Sequence, residues 1–477
     1  MSSDPYDRLP YTDHAYAESH PDRLAVVARL NRWEPPGVDR SRVLEVGCGR
    51  GGNLLPMAAG MADASLVGVD QSARQIAEAR RIAEAARVSN VRFEQASFET
   101  VDLPQDSFDF VLCHGVCSWI PPAMRSVLLR RIARWLTPSG LAYVSLNALP
   151  GWYDKLAARD WLRCASRAWS DARSVDWLMR QVSPELGAYL DDLRRVSTRL
   201  HETDEAYLTH EYLADENHPQ LVIEFLEEAD REGLCYLGDA ISASSAIELL
   251  PAEAAERARR CDVAQAQQLV DFVRNTSFRR AVLVRKDAAA EREWSWQPDL
   301  DVQAVDSMQV ASRLRARPGQ PGELEGPEGF VQLYDDAPRR ALDELERVAP
   351  RAVAVADLAR HVGVDSLALA PELFHLWLST GGLDLHVFQP HFTTAPCAQP
   401  KACPVARWHA AEGGTVTNRW HQEVLLPDDA VRLVLARLDG TRSAAEIARE
   451  LAAPGSDAGV LVSACIDLLA RSALLIE

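Results

Sequence analysis

The stretch Val43-Leu44-Glu45-Val46-Gly47-Cys48-Gly49-Arg50-Gly51-Gly52-Asn53-Leu54-Leu55 decides the fold of this chain. An apolar run contains one acidic residue, a glycine-dense turn follows, and a helix-like segment begins after the turn. This order predicts a buried strand, a tight loop and a helix, the arrangement by which α/β proteins hold nucleotide-like ligands. A glycine loop alone is a weak signal, because an ordinary turn can have the same composition.

A second acidic residue strengthens the interpretation. Asp70 ends the next apolar run, Leu66-Val67-Gly68-Val69, and lies nineteen residues after Gly51. In dinucleotide-binding folds an acid about 20 residues after the glycine loop binds the ribose hydroxyls. The alternative is that Asp70 only caps the following helix. Two strand-end acids, Glu45 and Asp70, with the glycines between them favour the ligand site.

Alternation of short apolar runs with helical segments predicts a Rossmann-like α/β fold with a parallel, doubly wound sheet. Ligands of such sheets bind at the carboxyl ends of the strands. A turn is expected at 137–140, before the fifth strand. The sixth and seventh strands would complete a seven-stranded sheet after a helical insertion. The expected strands are 43–46, 66–69, 91–94, 108–113, 141–146, 233–238 and 278–285.

Shifts of composition divide the chain into six parts. The segment 291–328 is rich in Pro, Gly and charge and is interpreted as a linker. Short helix-and-strand blocks after it are typical of winged helices, and the acidic balance favours a protein-contact or structural role over nucleic-acid binding. The expected parts are an N-terminal arm (1–40), a ligand-binding core (41–152), a helical insertion forming a lid or dimer surface (153–205), a region completing the sheet (206–290), the linker (291–328) and a C-terminal α+β winged-helix-like region (329–477).

The composition excludes several classes of protein. Among 477 residues, 47% are hydrophobic and 25% charged, as in globular proteins of two or three domains. A net charge of −18 argues against nonspecific nucleic-acid binding, which needs basic surface. No apolar run approaches the ~20 residues of a membrane helix, and the start lacks a signal peptide, so a cytoplasmic protein is expected. The nine scattered cysteines form no Cys-x-x-Cys pair, so no metal site is expected.

The set Glu45-x-Gly47-x-Gly49-x-Gly51, Asp70 and Phe108-Asp109 resembles the class I S-adenosylmethionine-dependent methyltransferases. In that family the first acid and the loop face the amino-acid end of the cofactor, and the second acid holds the ribose. No acid follows the third strand, so Ser97 or a backbone amide would have to meet the adenine. The resemblance implies S-adenosylmethionine as cofactor and implies that its binding residues are Glu45, Gly47, Gly49, Gly51, Asn53, Asp70, Gln71, Ser97 and Phe98.

Further motifs extend this resemblance over nearly the whole chain. They include His20-Pro21-x-Arg23-Leu24, His114-Gly115-Val116-x-Ser118-Trp119 and His210-Glu211-Tyr212-Leu213. They resemble the subfamily that carries a methyltransferase regulatory domain over the region 206–290. That subfamily includes bacterial protein-lysine methyltransferases of outer-membrane proteins, which are dimeric and end in a winged-helix region. The resemblance therefore implies a homodimer and a protein or peptide acceptor.

Methyl transfer from a sulfonium needs a positioned nucleophile and exclusion of water rather than a metal. A lysine acceptor must lose its proton to a base or be desolvated by an apolar, aromatic pocket. His114, at the end of the fourth strand, is the first candidate for orienting the acceptor, although a core role stays open for each histidine. Trp152 and Tyr212 are further aromatic candidates for the pocket. The full set of candidate catalytic residues is His114, Tyr11, Trp119, Asn147 and His210.

Three functions stay open on the sequence. The first is a protein-lysine N-methyltransferase. The second is an O-methyltransferase that acts on a carboxylate or hydroxyl group of a peptide or small metabolite. The third is a non-catalytic cofactor sensor whose C-terminal region contacts a partner protein.

Overall fold

The computed structural model describes residues 14–168, 180–202, 212–317, 323–326, 329–333, 335–452 and 457–476. Its centre is a mixed sheet in the order β3-β2-β1-β4-β5-β8-β7, with a short strand β6 beside β5. Strands β1 to β5 are parallel, and β8 is antiparallel to both of its neighbours. The strands are β1 Arg42–Val46, β2 Ser65–Asp70, β3 Val91–Gln95, β4 Phe108–Cys113, β5 Leu136–Leu149, β6 Gln220–Leu221, β7 Leu234–Asp239 and β8 Phe278–Arg285.

Helices cover both faces of this sheet. In β1, Val43 packs into the core on one face and Leu44 into the core on the other, as expected for a central parallel strand. The helices of the described core, insertion and regulatory part are α1 Pro21–Leu30, α2 Leu54–Gly60, α3 Ala73–Ala85, α4 Pro122–Trp135, α5 Tyr153–Ala168, α6 Gly187–Glu202, α7 Val222–Arg231, α8 Ser242–Ser245, α9 Ala252–Ala258, α10 Val263–Arg274 and α11 Lys286–Glu291. Short 3₁₀ helices lie at Ala17–Ser19, Cys117–Trp119, Ile247–Leu249 and Val302–Ser307.

Local sequence explains where helices begin. Pro21 occupies the first turn of α1, and the His20 ring at the N-cap accepts a hydrogen bond from the Asp22 amide. Ser72 caps α3 by accepting from the Gln75 amide. Buried Ile76, Ala79 and Ile82 then recur along α3 at helical spacing and face the sheet.

The predicted sixth and seventh strands are β7 and β8, which complete the sheet as expected. The turn predicted at 137–140 is wrong, because β5 begins directly after Trp135 and runs through these residues. The pairing of β4 with β5 is irregular there, between Phe108 and Phe110. A bulged strand thus absorbs the Pro and Gly that suggested a turn, as bulges do.

The segment 291–328, interpreted as a linker, contains ordered elements. The 3₁₀ helix Val302–Ser307 and strand β9 (Gln309–Ser312) join the first C-terminal body. Val310 is fully buried in that body, because β9 is the central strand between β13 (Val353–Ala354) and β14 (Leu383–His386). Three more short strands form a separate antiparallel sheet: β10 Arg315–Ala316, β11 Glu323–Gly326 and β12 Gly329–Gln332.

The C-terminal region has two bodies. The first packs around β9 and contains α12 Asp336–Val348, β13 Val353–Ala354, α13 Val355–Val362, α14 Ser366–Thr380 and β14 Leu383–His386. The second shares a hydrophobic core with α2 and α3 of the sheet domain. It contains α15 Pro404–Glu412, β15 Val416–Thr417, β16 Glu423–Val424, α16 Asp429–Arg437, α17 Ala444–Leu451 and α18 Ala458–Arg471. None of the described helices is both long and apolar enough to cross a membrane.

Candidate functional site

A cavity of about 330 Å³ opens at the carboxyl ends of β1, β2 and β4. This volume lies within the range of about 300–1,000 Å³ usual for small-molecule sites. The position is the one expected for ligands of parallel sheets. Its walls include His14, Tyr16, Glu45, Gly47, Gly49, Arg50, Gly52, Asn53, Asp70, Gln71, Gln75, Ser97, Phe98, His114, Val116, Trp119, Ile120, Asn147 and Phe278.

The glycine loop forms the floor of this cavity. Gly47 and Gly49 line it, with φ angles of +76° and +53° that favour glycine. A Cβ atom on Gly47 would lie 2.5 Å from a methyl group of Val116, so a larger residue cannot fit without a shift. Gly51, with φ +80°, has a different role, because its Cα faces the side chains of Phe93 and Leu55. It allows the loop to pack closely on the sheet and α2.

Asp70 lies at the end of β2 with its carboxylate turned toward the loop. Its two oxygens accept hydrogen bonds from the Gly49 amide at 3.0 Å and the Ser72 amide at 2.9 Å. The N-cap of α3 is Ser72, so helix capping does not account for the position of Asp70. Asp70 also lines the cavity, where a carboxylate can accept hydrogen bonds from hydroxyl groups of a ligand.

Glu45 is a buried acid at the bottom of the cavity. Its Oε1 atom accepts from Asn53 Nδ2 at 2.8 Å, and its Oε2 atom is buried without a hydrogen-bond partner among the described residues. Burial raises the pKa of Glu45 to about 8, a rise that the Asn53 hydrogen bond opposes and the nearby Asp70 reinforces. An unsatisfied buried acceptor in a ligand cavity suits a positively charged donor group. This oxygen, the glycine floor and Asp70 together fit the amino-acid and ribose parts of S-adenosylmethionine.

The far wall of the cavity follows β2 and β3. Gln71 is exposed at the rim, and Ser97 and Phe98 are half-buried. The Ser97 hydroxyl accepts a hydrogen bond from the Glu99 amide at 3.2 Å, which orders the turn after β3. The buried side chain of Gln75, on α3, also reaches this wall. These side chains surround the space next to the ribose acid.

His114 lies on the opposite wall between aromatic rings. Its Nδ1 atom is 2.8 Å from the Tyr143 hydroxyl, and the Tyr16 ring stacks on it with centroids 3.5 Å apart. Burial, aided by Arg280 and His14, lowers the pKa of His114 to about 3. The imidazole is therefore neutral at physiological pH. It can orient a group by hydrogen bonding, but its low basicity makes it a poor proton acceptor.

Trp119 and Asn147 complete this wall. The Asn147 amide nitrogen Nδ2 donates to Asn217 Oδ1 at 3.1 Å, and its backbone amide donates to the Ser118 hydroxyl at 2.8 Å. These bonds hold Asn147 at the carboxyl end of β5. Trp119 is the last residue of the 3₁₀ helix that follows β4.

Other sequence candidates lie elsewhere. Tyr11 and His210 fall outside the residues that the structure describes. The expectation that Trp152 and Tyr212 line the acceptor pocket is wrong. Trp152 is buried beneath Lys155, whose ammonium lies 4.5 Å from the ring centroid, and Tyr212 packs in the core of the helical insertion.

Several residues of the cavity were not predicted from the sequence, among them Tyr16, Gln75 and Phe278. Phe278 is the first residue of β8 and pairs with Asn147 of β5. Only the sheet order brings it to the site. Tyr16 comes just before the helix start at His20-Pro21. This dipeptide predicts where the helix begins, but it does not predict that the preceding arm runs along the cavity.

Comparison with protein-family models identifies three parts of the chain. Residues 43–140 match the model described as "methyltransferase domain". Residues 204–285 match "predicted methyltransferase regulatory domain", and residues 398–463 match "PKMT, C-terminal winged helix domain". The first match covers β1 to β4 and most of the cavity floor.

Relatives of known sequence are similar over part of the chain. An uncharacterized protein of Rickettsia prowazekii is 31% identical over 297 residues, which is 60% of this chain and 54% of that protein. The chain thus spans about half the length of this relative. A trans-aconitate 2-methyltransferase of Methylobacterium nodulans is 34% identical over 106 residues, which is 22% of this chain and 38% of that enzyme.

Solved structures share the fold over almost the whole chain. PKMT2 from Rickettsia typhi, solved with and without AdoHcy, superposes with a TM-score of 0.84 in both structures. The identities are 22% and 23%, and each match covers 98% of this chain and 100% of the other. The chain thus carries a methyltransferase domain with a cavity that fits S-adenosylmethionine, followed by a methyltransferase regulatory domain and a C-terminal part that matches the PKMT winged helix model.

Proposed function

We propose that the chain is an S-adenosylmethionine-dependent protein-lysine N-methyltransferase. The observation that carries this proposal is the joining of a methyltransferase domain to a winged helix domain that matches the PKMT family model. The shared fold with PKMT2 supports it, because the similarity extends through both C-terminal bodies.

The residues of the cavity divide into two groups by their chemistry. Glu45, Asp70 and the glycine loop form the side that binds the methyl donor. Glu45 and the loop would hold the amino-acid part of the cofactor, and Asp70 would hold its ribose. When bound, S-adenosylmethionine supplies a methyl group on a sulfonium for in-line transfer to a nucleophile. His114, Tyr16 and Phe278 form the acceptor side.

The acceptor side favours desolvation of the lysine over its deprotonation by a basic residue. A lysine has a reference pKa of ~10.4, and an apolar environment lowers it because the charged form loses hydration. Aromatic rings from Tyr16, Trp119 and Phe278 provide such an environment. The neutral imidazole of His114 would then orient the uncharged amine through a hydrogen bond. In this interpretation His114 positions the amine and takes no proton.

The first prediction concerns His114→Phe. The phenyl ring can keep the stacking on Tyr16 but loses both ring nitrogens, so the amine loses its orienting group. We expect the rate of lysine methylation to fall roughly ten- to a hundredfold, the cost of misplacing a reacting group. Steady-state kinetics with a labelled cofactor and a lysine-containing acceptor would measure this rate. Tyr143→Phe, which removes only the hydroxyl next to Nδ1, is the matched control and should lower the rate less.

The O-methyltransferase alternative gains support from the similarity of the core to trans-aconitate 2-methyltransferase. A carboxylate acceptor is already ionised, so its methylation needs neither deprotonation nor desolvation of the acceptor. Methyl esters hydrolyse in base, whereas N-methyl groups do not. Loss of the product label after mild base would therefore favour this alternative and contradict lysine methylation.

A direct test uses the purified full-length chain, S-adenosylmethionine with a labelled methyl group, and a cell lysate. We expect base-stable label in protein, located on lysine by mass spectrometry of peptides. If the chain binds the cofactor but labels nothing, while a control methyltransferase labels its substrate in the same lysate, the sensor function would replace the proposal.

A protein acceptor and a homodimer also remain predictions. The insertion helices α5 and α6 leave Tyr153 56% and Tyr189 44% exposed, and partial exposure of aromatic side chains suits a subunit contact. Light scattering coupled to size-exclusion chromatography would give the mass in solution. A mass equal to one chain at micromolar concentration would contradict the dimer.

A further inference from the structure

Asn53 joins three parts of the chain that are far apart in sequence. Its carboxamide contacts Tyr16 and Ser19 of the N-terminal arm, Glu45 of the donor site and His421 of the second C-terminal body. The His421 Nε2 atom is 2.8 Å from Asn53 Oδ1, across 368 residues of sequence. Asn53 and His421 are 4% and 2% exposed, so water does not compete for these bonds.

The direction of each hydrogen bond follows from the donors available. The Tyr16 backbone amide lies 3.0 Å from one amide atom of Asn53 and can only donate, so that atom is the oxygen Oδ1. The amide nitrogen Nδ2 then donates to Ser19 Oγ at 3.1 Å and to Glu45 Oε1 at 2.8 Å. Because Oδ1 only accepts, the proton of His421 must reside on Nε2.

His421 is a neutral imidazole that donates a hydrogen bond through Nε2. Burial lowers its pKa well below 6.5, with a further contribution from His20, whose ring centroid is 5.2 Å away. The other nitrogen, Nδ1, is buried and has no hydrogen-bond partner in the described parts of the chain. Within those parts, the hydrogen bond to Asn53 is thus the only one that the imidazole ring makes.

We infer that His421 is a positioning residue of the methyl-donor site. Together with the Tyr16 amide, which donates to the same oxygen, it fixes the Asn53 carboxamide in the orientation that presents Nδ2 to Glu45. Glu45 in turn presents its second oxygen to the cavity. The inference rests on the proposed binding of S-adenosylmethionine in that cavity. It assigns the C-terminal region a part in donor binding.

The backbone around His421 is suited to this task. His421 has φ +59°, a left-handed conformation, within a turn that closes through the hydrogen bond from the Gln422 amide to Asn418 Oδ1. Next to it, the Arg419 guanidinium donates to the carbonyl groups of Ala59 and Gly60 at the end of α2. The helix that begins after Asn53 is therefore bound at both ends by the same turn.

Two substitutions of His421 test whether its hydrogen bond to Asn53 matters or whether the ring only fills space. In His421→Gln the side-chain nitrogen can reach the position of Nε2 and keep the hydrogen bond to Asn53. In His421→Asn the shorter side chain tolerates the left-handed backbone, but its nitrogen falls near the position of Nδ1. Trp420→Phe is the control, because it removes a neighbouring hydrogen bond, from Nε1 to the Pro350 carbonyl at 2.9 Å, and leaves the Asn53 bond in place.

The experiment is calorimetric titration of each full-length variant with S-adenosylhomocysteine, alongside its melting temperature without ligand. We expect His421→Asn to raise the dissociation constant about three- to tenfold, the effect of one lost hydrogen bond. His421→Gln and Trp420→Phe should bind as the unmodified chain does.

The possible failures are distinguishable. If the unmodified chain does not bind S-adenosylhomocysteine, the donor-site assignment itself is wrong. If it binds, and all variants bind equally, His421 has no role in donor binding. Equal weakening in the Gln and Asn variants, with lower melting temperatures in both, would show that the ring only fills space and would overturn the inference.

Discussion

Replacing Asp70 by alanine is expected to weaken binding of the methyl donor by over a hundredfold. Its carboxylate is positioned by the amides of Gly49 and Ser72 and faces the cavity. A hydrogen bond to a charged group contributes about 1.5–3 kcal/mol, so losing two ribose contacts would cost roughly 3 kcal/mol or more. The Gly49 amide would also lose its partner, which loosens the loop that forms the cavity floor.

Calorimetric titration with S-adenosylhomocysteine measures this change. Asp70→Asn keeps the shape of the side chain but not its charge, and we expect it to bind more weakly than the unmodified chain and more tightly than Asp70→Ala. Asp109→Ala is the control, because Asp109 pairs with Arg42 at the opposite end of the strands, away from the cavity. An unchanged dissociation constant for Asp70→Ala would mean that the carboxylate only orders the loop.

The donor side of the site could be predicted because its determinants are local. Glu45 and Asp70 lie at the carboxyl ends of adjacent strands that are recognisable as short apolar runs, and the glycines lie between them. The carboxyl ends of parallel neighbours must meet at one edge of the sheet, so sequence order alone brings these groups together. The same reasoning correctly located β7 and β8 but could not give the pairing that places Phe278 beside Asn147.

The contacts that the sequence did not reveal are those between distant segments. Asn53 was predicted to contact the cofactor, and it lines the cavity. Its hydrogen bonds to Ser19, Glu45 and His421 were not predicted. Nothing in the composition around His421 indicates a partner 368 residues earlier. The interpretation of 291–328 as a linker failed for a related reason. A short strand such as β9 has too few residues for a periodic signal and is stabilised by β13 and β14, which come later in the chain.

Replacing Glu45 by glutamine is expected to have two opposite effects, weaker donor binding and a more stable fold. The amide has the same shape and can still accept a hydrogen bond from Asn53. It lacks the negative charge that would face the ammonium group of the donor, so we expect the dissociation constant to rise roughly ten- to a hundredfold. Stability should rise because a buried acid is costly when ionised if its Oε2 has no hydrogen-bond partner, and Oε2 has none within the described parts of the chain.

The gain in stability of the Glu45→Gln variant should depend on pH. Burial raises the pKa of Glu45 from 4.5 to about 8 in the folded chain. Between these values the folded state holds a proton that the unfolded state has lost, so the free energy of unfolding decreases as the pH rises. The decrease is about 1.4 kcal/mol for each pH unit in this window and ends above the folded-state pKa. Glutamine does not titrate, so the variant escapes this loss.

Denaturant unfolding of both proteins without ligand, from about pH 5 to about pH 8.5, measures the difference. We expect the two free energies of unfolding to be close near pH 5 and to diverge in favour of Glu45→Gln as the pH approaches 8. Asp109→Asn, at an acid whose oxygens accept hydrogen bonds from Arg42, controls for general loss of negative charge. A constant difference across this range would mean that Glu45 is already ionised in the folded chain at low pH. The carboxylate would then be stabilised by groups other than Asn53, and the cavity would lack the unsatisfied acceptor that we expect the donor to bind.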